Sequence, residues 1–177
     1  MKVMAEQTAK SRRVSRSETV ILFFVANQMF AIAANSVQEI RSTDSLAGAA
    51  NEIEQSVSPK VRHTVERAHR IYYVVNAGMH FGLPVTRPAL VLILRQLRVA
   101  VLVDRIERMA EVSAVHPLPQ AFTGEERRWY RGLAYVDDVV IPVVEATGFL
   151  TSEEFRLLDR TVQATESLRE MQGAVRA

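Results

Sequence analysis

The chain has 177 residues, of which 48% are hydrophobic and 24% charged, with seven Gly, six Pro and no Cys. That composition excludes a disordered or collagen-like chain, and no apolar run approaches the roughly 18 residues that a membrane span needs. The absence of cysteine excludes disulfides, thiolate metal sites and a cysteine nucleophile, and fits a reducing, cytoplasmic compartment. The net charge of +2 belongs to one end: residues 1–18 carry five Lys and Arg against two Glu, and the rest is nearly balanced. A nucleic-acid binder is expected to show its basic stripe on the folded body. Residues 1–18 read instead as a disordered basic tail, without the apolar core of a secretory signal.

Residues 19–25 and 29–34 are β-branched and aromatic runs separated by Ala26, Asn27 and Gln28, which predicts a hairpin. Asn35 then stands as a helix N-cap before Val37 and Ile40, three apart, so a short helical turn is predicted there. Residues 42–59 are small and polar and read as loop, and 61–68 as a short helix. The strand-favouring run 71–75 is closed by Gly78, Gly82 and Pro84. Residues 89–94 with 99–103, and 132–136 with 139–144 around Asp137 and Asp138, predict a second and a third hairpin. Thr151-Ser152-Glu153-Glu154 spells a capping box, and Phe155, Leu158, Val162, Thr165, Leu168 and Met171 recur at helical spacing behind it. Hairpins closed by one terminal helix predict an all-β fold, a small barrel or a pair of barrels, since closure removes exposed edges. The tail spans 1–18, the body 19–150 and the amphipathic α-helix 151–172.

No catalytic constellation stands out. His63, His69, His80 and His116 show no metal-ligand spacing. No phosphate-cradling glycine motif and no G-x-S-x-G elbow occurs. Asp104, Glu107 and Glu111 would share one face of a helix, but Arg105 and Arg108 among them make it a solvated charged face. Arg127, Arg128, Trp129, Tyr130 and Arg131 form the one basic and aromatic cluster of the body, suited either to stacking bases or anchoring a partner, or to a loop with Trp129 tucked beneath it. No metal and no cofactor is implied, and the chain reads as an interaction module.

The order of its pieces resembles the CheW-like domain of bacterial chemotaxis coupling proteins, from about residue 19 to 159. The pieces are the first strand pair, Val37-Gln38-Glu39-Ile40, Phe81-Gly82-Leu83, the strand ending in Val103-Asp104, Gly132-Leu133, and Phe149-Leu150-Thr151-Ser152-Glu153-Glu154. The resemblance implies two intertwined SH3-like β-barrel subdomains with a groove between them. It further implies a non-enzymatic adaptor that joins the cytoplasmic tip of a chemoreceptor to the regulatory domain of a chemotaxis histidine kinase, and binds other CheW-like domains. It places Val37 and Glu39 in the receptor-facing region, with Ile40 beside them. The family's N-L-R-G signature falls on Glu66, Arg67, Ala68 and His69, so its Arg position is Ala68 and its Gly position His69. Arg67 and Arg70 are the cations left to take the place of that Arg. Neither nucleic acid nor membrane insertion is expected. A degenerate scaffold that self-associates or binds another partner, and a nucleic-acid-binding barrel using the tail and the Arg127 cluster, are the alternatives.

Overall fold

Nearly every apolar run forms a strand, and the central strands are buried on both faces. The structure, a computed structural model, describes residues 17–54 and 56–175. The predicted tail therefore lies outside the described residues except for Ser17 and Glu18, and Glu18 already belongs to the first strand. The strands are β1 (Glu18–Val25), β2 (Gln28–Ala33), β3 (Val37–Ser42), β4 (Ala50–Glu52), β5 (Val61–Arg67), β6 (Arg70–Asn76), β7 (Leu90–Leu94), β8 (Val99–Val103), β9 (Arg105–Val112), β10 (Tyr130–Val136) and β11 (Val139–Val144). Two single-turn helices, α1 (Ala77–His80) and α2 (Glu126–Trp129), precede the long terminal helix α3 (Ser152–Val175).

The three predicted hairpins form, as β1–β2, β7–β8 and β10–β11. A fourth, β5–β6, replaces the helix predicted over 61–68. Its turn residues Ala68 and His69 have φ of 47° and 59°, as Ala26 and Asn27 (48°, 64°) and Asp137 and Asp138 (48°, 63°) do in theirs. Positive φ at both central residues gives the turn twist that matches paired strands. The helical turn predicted from Asn35 is also corrected: Ala34–Ser36 form a 3-10 turn, and Val37 and Ile40 stand in β3, paired with β7. The expected loop 42–59 contains a 3-10 helix, Thr43–Leu46, and β4. Glu107 and Glu111 lie on strand β9 rather than on a helix, and Asp104 stands just before it.

The strands form a five-stranded sheet, β10-β11-β2-β1-β9, and a six-stranded sheet, β3-β7-β8-β6-β5-β4. The whole second sheet is inserted in the chain between β2 and β9. Neither ladder closes on itself, so the predicted barrel closure is absent from the continuous hydrogen bonding. Other contacts join the open edges of the first sheet. His116 and Leu133 exchange two backbone hydrogen bonds of 2.7 and 2.8 Å, and Arg108 pairs with Asp137 beside them. Arg131 donates to both carboxylate oxygens of Glu18 at 2.6 and 2.8 Å. Gly132 makes the bridge possible, because a Cβ there would lie 2.1 Å from the His116 carbonyl oxygen.

Alternation along the strands sorts the core into three. Val20, Leu22, Ala31, Ala110, Ala134, Val136, Ile141 and Val143 fill the inner face of the first sheet. Val65, Tyr72, Val74, Val91, Ile93 and Ala100 fill that of the second, with Leu46 on them. The residues in between, among them Phe23, Phe30, Tyr73, Leu92, Leu94, Val101 and Val144, meet in a shared core between the sheets. Burial on both faces explains why these strands read as unbroken apolar runs. Helix α3 seals the shared core with the fully buried Leu158, flanked by Phe155 and Val162; burying such a leucine stabilises by roughly 1.5–3 kcal/mol.

Candidate partner-binding site

β3 is an edge strand of the second sheet, and its residues divide by direction. Val37 is buried in the shared core at 7% exposure, so it anchors the strand from within and lies beyond a partner's reach. Ile40 is 41% exposed and is the apolar side chain that β3 offers to solvent. A bulge between Val37 and Glu39 shifts the register against β7. Glu39 is half-buried and accepts from the guanidinium groups of both Arg41 and Arg67.

The second of these contacts is long-range. Arg67 ends β5, and three strands, β7, β8 and β6, separate β5 from β3 in hydrogen-bonding order. The sheet therefore curls until its β3 edge and its β5–β6 hairpin come within side-chain reach. Arg67 Nη2 makes the ion pair, while Nη1 is enclosed with no hydrogen-bond partner among the described residues. The Arg41 hydrogen bond, joined by Arg67 and opposed by desolvation, holds the Glu39 carboxyl below the usual glutamate range and keeps it ionised. Arg70 faces Arg67 across the hairpin, is exposed, and takes no ion pair among the described residues. The structure thus brings Glu39, Ile40 and Arg67 to one surface, sets Arg70 at its rim and withdraws Val37 into the core. Arg41 belongs to the group and is not singled out by the sequence; its place two residues from Glu39 on the same side of a strand is the signal that would have found it.

The other candidates have structural roles. Asp104 accepts from the Ala26 N–H at 2.7 Å and the Thr86 hydroxyl at 2.6 Å, tying the β1–β2 turn to the chain before β7. Glu107 pairs with Arg105, and Glu111 accepts from Thr19. In the Arg127 to Arg131 cluster, Trp129 is half-buried, with ring centroids 4.8 Å from His80 and 6.0 Å from Phe81, so the tucked arrangement holds. Its loop is drawn tight at Gly148, where a Cβ would lie 2.3 Å from the Arg128 carbonyl oxygen.

His80 is a site that the sequence did not mark. It is 4% exposed, packed among Phe81, Trp129 and Phe149, with Nδ1 3.4 Å from the Lys60 ammonium. Lys60 pairs with Glu154 at 2.9 Å, and Glu154 completes the capping box by accepting from the Thr151 N–H at 2.8 Å. Burial first, and Lys60 second, lower the His80 pKa to about 3, so the ring is neutral. Among the described residues, no three His, Cys, Asp or Glu side chains gather as a metal site would require, and no helix is long and apolar enough to cross a membrane.

A family model described as the CheW-like domain matches residues 19–154. Among solved structures, the chain is similar to the crystal structure of the scaffolding protein TtCheW from Thermoanaerobacter tengcongensis, with a TM-score of 0.63 and 15% identity over 77% of this chain and 95% of that one. At that identity the likeness concerns the fold. No curated protein matches the chain. The family match covers most of the sequence and spans both sheets, the β3 edge and the start of α3: the chain belongs to the CheW-like domain family.

Proposed function

We propose that the chain is a non-enzymatic adaptor of a chemosensory or motility pathway, which couples chemoreceptor tips to the regulatory domain of a histidine kinase by protein–protein binding in the cytoplasm. On this reading the two curled sheets are a pair of SH3-like barrels, and the β3 edge is the partner-binding surface. Ile40 supplies the apolar contact, Glu39 sets orientation, and Arg67 and Arg70 supply the cations. One observation carries the assignment: Glu39, on the family's V-Q-E-I segment, is paired with Arg67, one residue before the position of the family's signature Arg. The pair keeps a charged, oriented carboxylate beside an exposed Ile40 although Ala68 has no charge to give. Membership in the CheW-like family and the likeness to a scaffolding protein support the adaptor role.

The test is a titration of the purified protein against a receptor-tip fragment and the kinase regulatory domain from the same organism, at two salt concentrations. Saturable binding is expected to one or both. Glu39→Lys is expected to raise Kd at least about tenfold, the weight of one strong interface residue. Ion pairs at the surface contribute little to stability, so its thermal midpoint should stay near that of the wild type. No binding to either partner, with circular dichroism showing an intact fold, would overturn the adaptor reading. A large fall in thermal midpoint in Glu39→Lys would assign Glu39 a structural role instead.

A further inference from the structure

Helix α3 lies over one face of the strands β4, β5 and β6, and the register fixes which residues face it. Asn51 pairs with Thr64, Thr64 with Tyr73 and Glu66 with Ile71, and directly opposed residues share a face of a sheet. That face is turned to the helix, because the Tyr73 hydroxyl donates to Asp159 of α3. On the helix, Val162, Thr165, Glu166 and Arg169 recur at the spacing of a single helical face. Between the two lies a cavity of about 110 Å³, the share of roughly four water molecules. Its walls are apolar at Ile71 and Val162, which pack on the shared core.

Two independent observations mark this cavity as a site. The first is a buried hydroxyl. Ser58, Thr64 and His80 are the buried polar side chains among the described residues. Ser58 bonds to Glu154 and His80 meets Lys60. Thr64, only 6% exposed, lines the cavity, and its hydroxyl has no hydrogen-bond partner among the described residues. Buried polar groups are ordinarily paired. The second observation is charge. Glu52, Glu66 and Glu166 stand exposed at the edge of the cavity against Arg169 alone, three carboxylates to one guanidinium, an excess of two negative charges. None of the four makes an ion pair among the described residues. These carboxylates do not converge as metal ligands do, and hydrocarbon walls suit methylene groups better than a hydrated ion. We propose that the cavity binds a short aliphatic diamine: one ammonium group enters between Glu66 and Glu166 and donates to the Thr64 hydroxyl, the methylenes lie along Ile71 and Val162, and the second ammonium stays at the Glu52 edge. Because Glu66 belongs to β5 and Glu166 to α3, such a ligand ties the second half of the helix to the sheet.

The test is a titration of the ¹⁵N-labelled full-length chain with 1,4-diaminobutane at constant ionic strength, followed by amide NMR. Saturable shifts are expected at residues 64–71 and 162–169, with a Kd of about 1 mM or lower, within reach of so small a ligand. Thr64→Val removes the hydroxyl and keeps the side chain's shape; Glu66→Gln and Glu166→Gln remove charge at exposed positions. Each should raise Kd at least about fivefold, and n-butylamine should bind at least about tenfold more weakly than the diamine. Glu107→Gln, on β9, removes the same charge elsewhere and should leave Kd unchanged. The spectrum of each variant without ligand reports that its fold is kept. Absence of saturable shifts, or shifts that magnesium chloride reproduces at equal concentration, would overturn the proposal. So would a Kd unchanged in Glu66→Gln and Glu166→Gln, or raised as much by Glu107→Gln, which would assign the effect to overall charge.

Discussion

Gly132 and His80 show how much of this fold depends on single positions. At Gly132 an added Cβ meets the His116 carbonyl oxygen of the facing segment at 2.1 Å, backbone that cannot swing aside, and the Val115 side chain at 2.8 Å. Gly132→Ala must therefore push β10 away from His116 and break the two-hydrogen-bond bridge that joins the edges of the first sheet. A loss of about 1–3 kcal/mol or more is expected, the range for overpacking; a urea midpoint unchanged from the wild type would show that the edges yield without cost. His80 acts through pH. Its ordinary value is 6.5 and its native value about 3, so the unfolded chain takes up the proton first. The stabilisation from the neutral ring is complete above about pH 6.5 and is lost as pH falls toward the native value, by up to about 1.4 kcal/mol per pH unit. Between about pH 6.5 and 5 the carboxylates contribute little. His80→Gln, which keeps an amide for Lys60 and does not titrate, should flatten the dependence of stability on pH in that window, as measured by denaturant midpoints. A slope equal to that of the wild type would count against the buried imidazole.

Helix α3 is bound by its first half. Arg98 donates to both Asp159 oxygens at 2.9 and 2.8 Å, the Tyr73 hydroxyl donates to the same carboxylate at 2.5 Å, and the guanidinium lies 5.6 Å from the Tyr73 and Phe155 ring centres. The Arg98 hydrogen bond first, and that of Tyr73 after it, hold the Asp159 carboxyl below the usual range. Asp159→Asn replaces a bidentate charged pair with a neutral amide and should weaken helix docking by about 1–2 kcal/mol. Amide exchange along α3 should then quicken by roughly tenfold while the sheets stay protected; equal acceleration everywhere would mean that helix and sheets open together. The capping box and apolar stripe made this helix legible in the sequence, and unbroken apolar runs did the same for three hairpins. β3 and β5 were misread for a shared reason. Each carries a bulge, between Val37 and Glu39 and between Val61 and His63. An extra residue breaks the period of two, so Val61, Thr64 and Val65 are buried at a spacing that imitates a helix. Contact between Glu39 and Arg67 was beyond any local pattern, because it depends on how far a sheet curls; only the alignment to the family signature marked Arg67 as a substitute cation.

At the scale of the molecule, the connectivity decides how the two halves depend on each other. The first sheet needs β1 and β2 from one end of the chain and β9, β10 and β11 from beyond the second sheet, so the second is a continuous insert and the first is not one stretch. The two are joined by more than connection. Phe23 and Phe30 from the first sheet and Tyr73, Leu92, Leu94 and Val101 from the second bury their side chains in one core, which also takes Phe149 and Leu158. Opening either sheet exposes the partner's half of that core, and each large apolar side chain returned to water costs about 1.5–3 kcal/mol. A state with one sheet folded and the other unfolded would carry several such costs at once, a sum comparable with the 5–15 kcal/mol that holds an ordinary domain together. The body should therefore unfold in one transition. The near-ultraviolet signal of Trp129, on α2 before β10, and the far-ultraviolet signal of all strands should give coincident urea curves with one slope. Two separated midpoints would show that the curled sheets are independent units and that the shared core contributes little. A Leu92→Ala substitution distinguishes the cases further: emptying a fully buried position of the common core should lower the single midpoint by the equivalent of about 2–5 kcal/mol for both signals alike, whereas independent units would split the far-ultraviolet curve into two transitions, only one of them shifted.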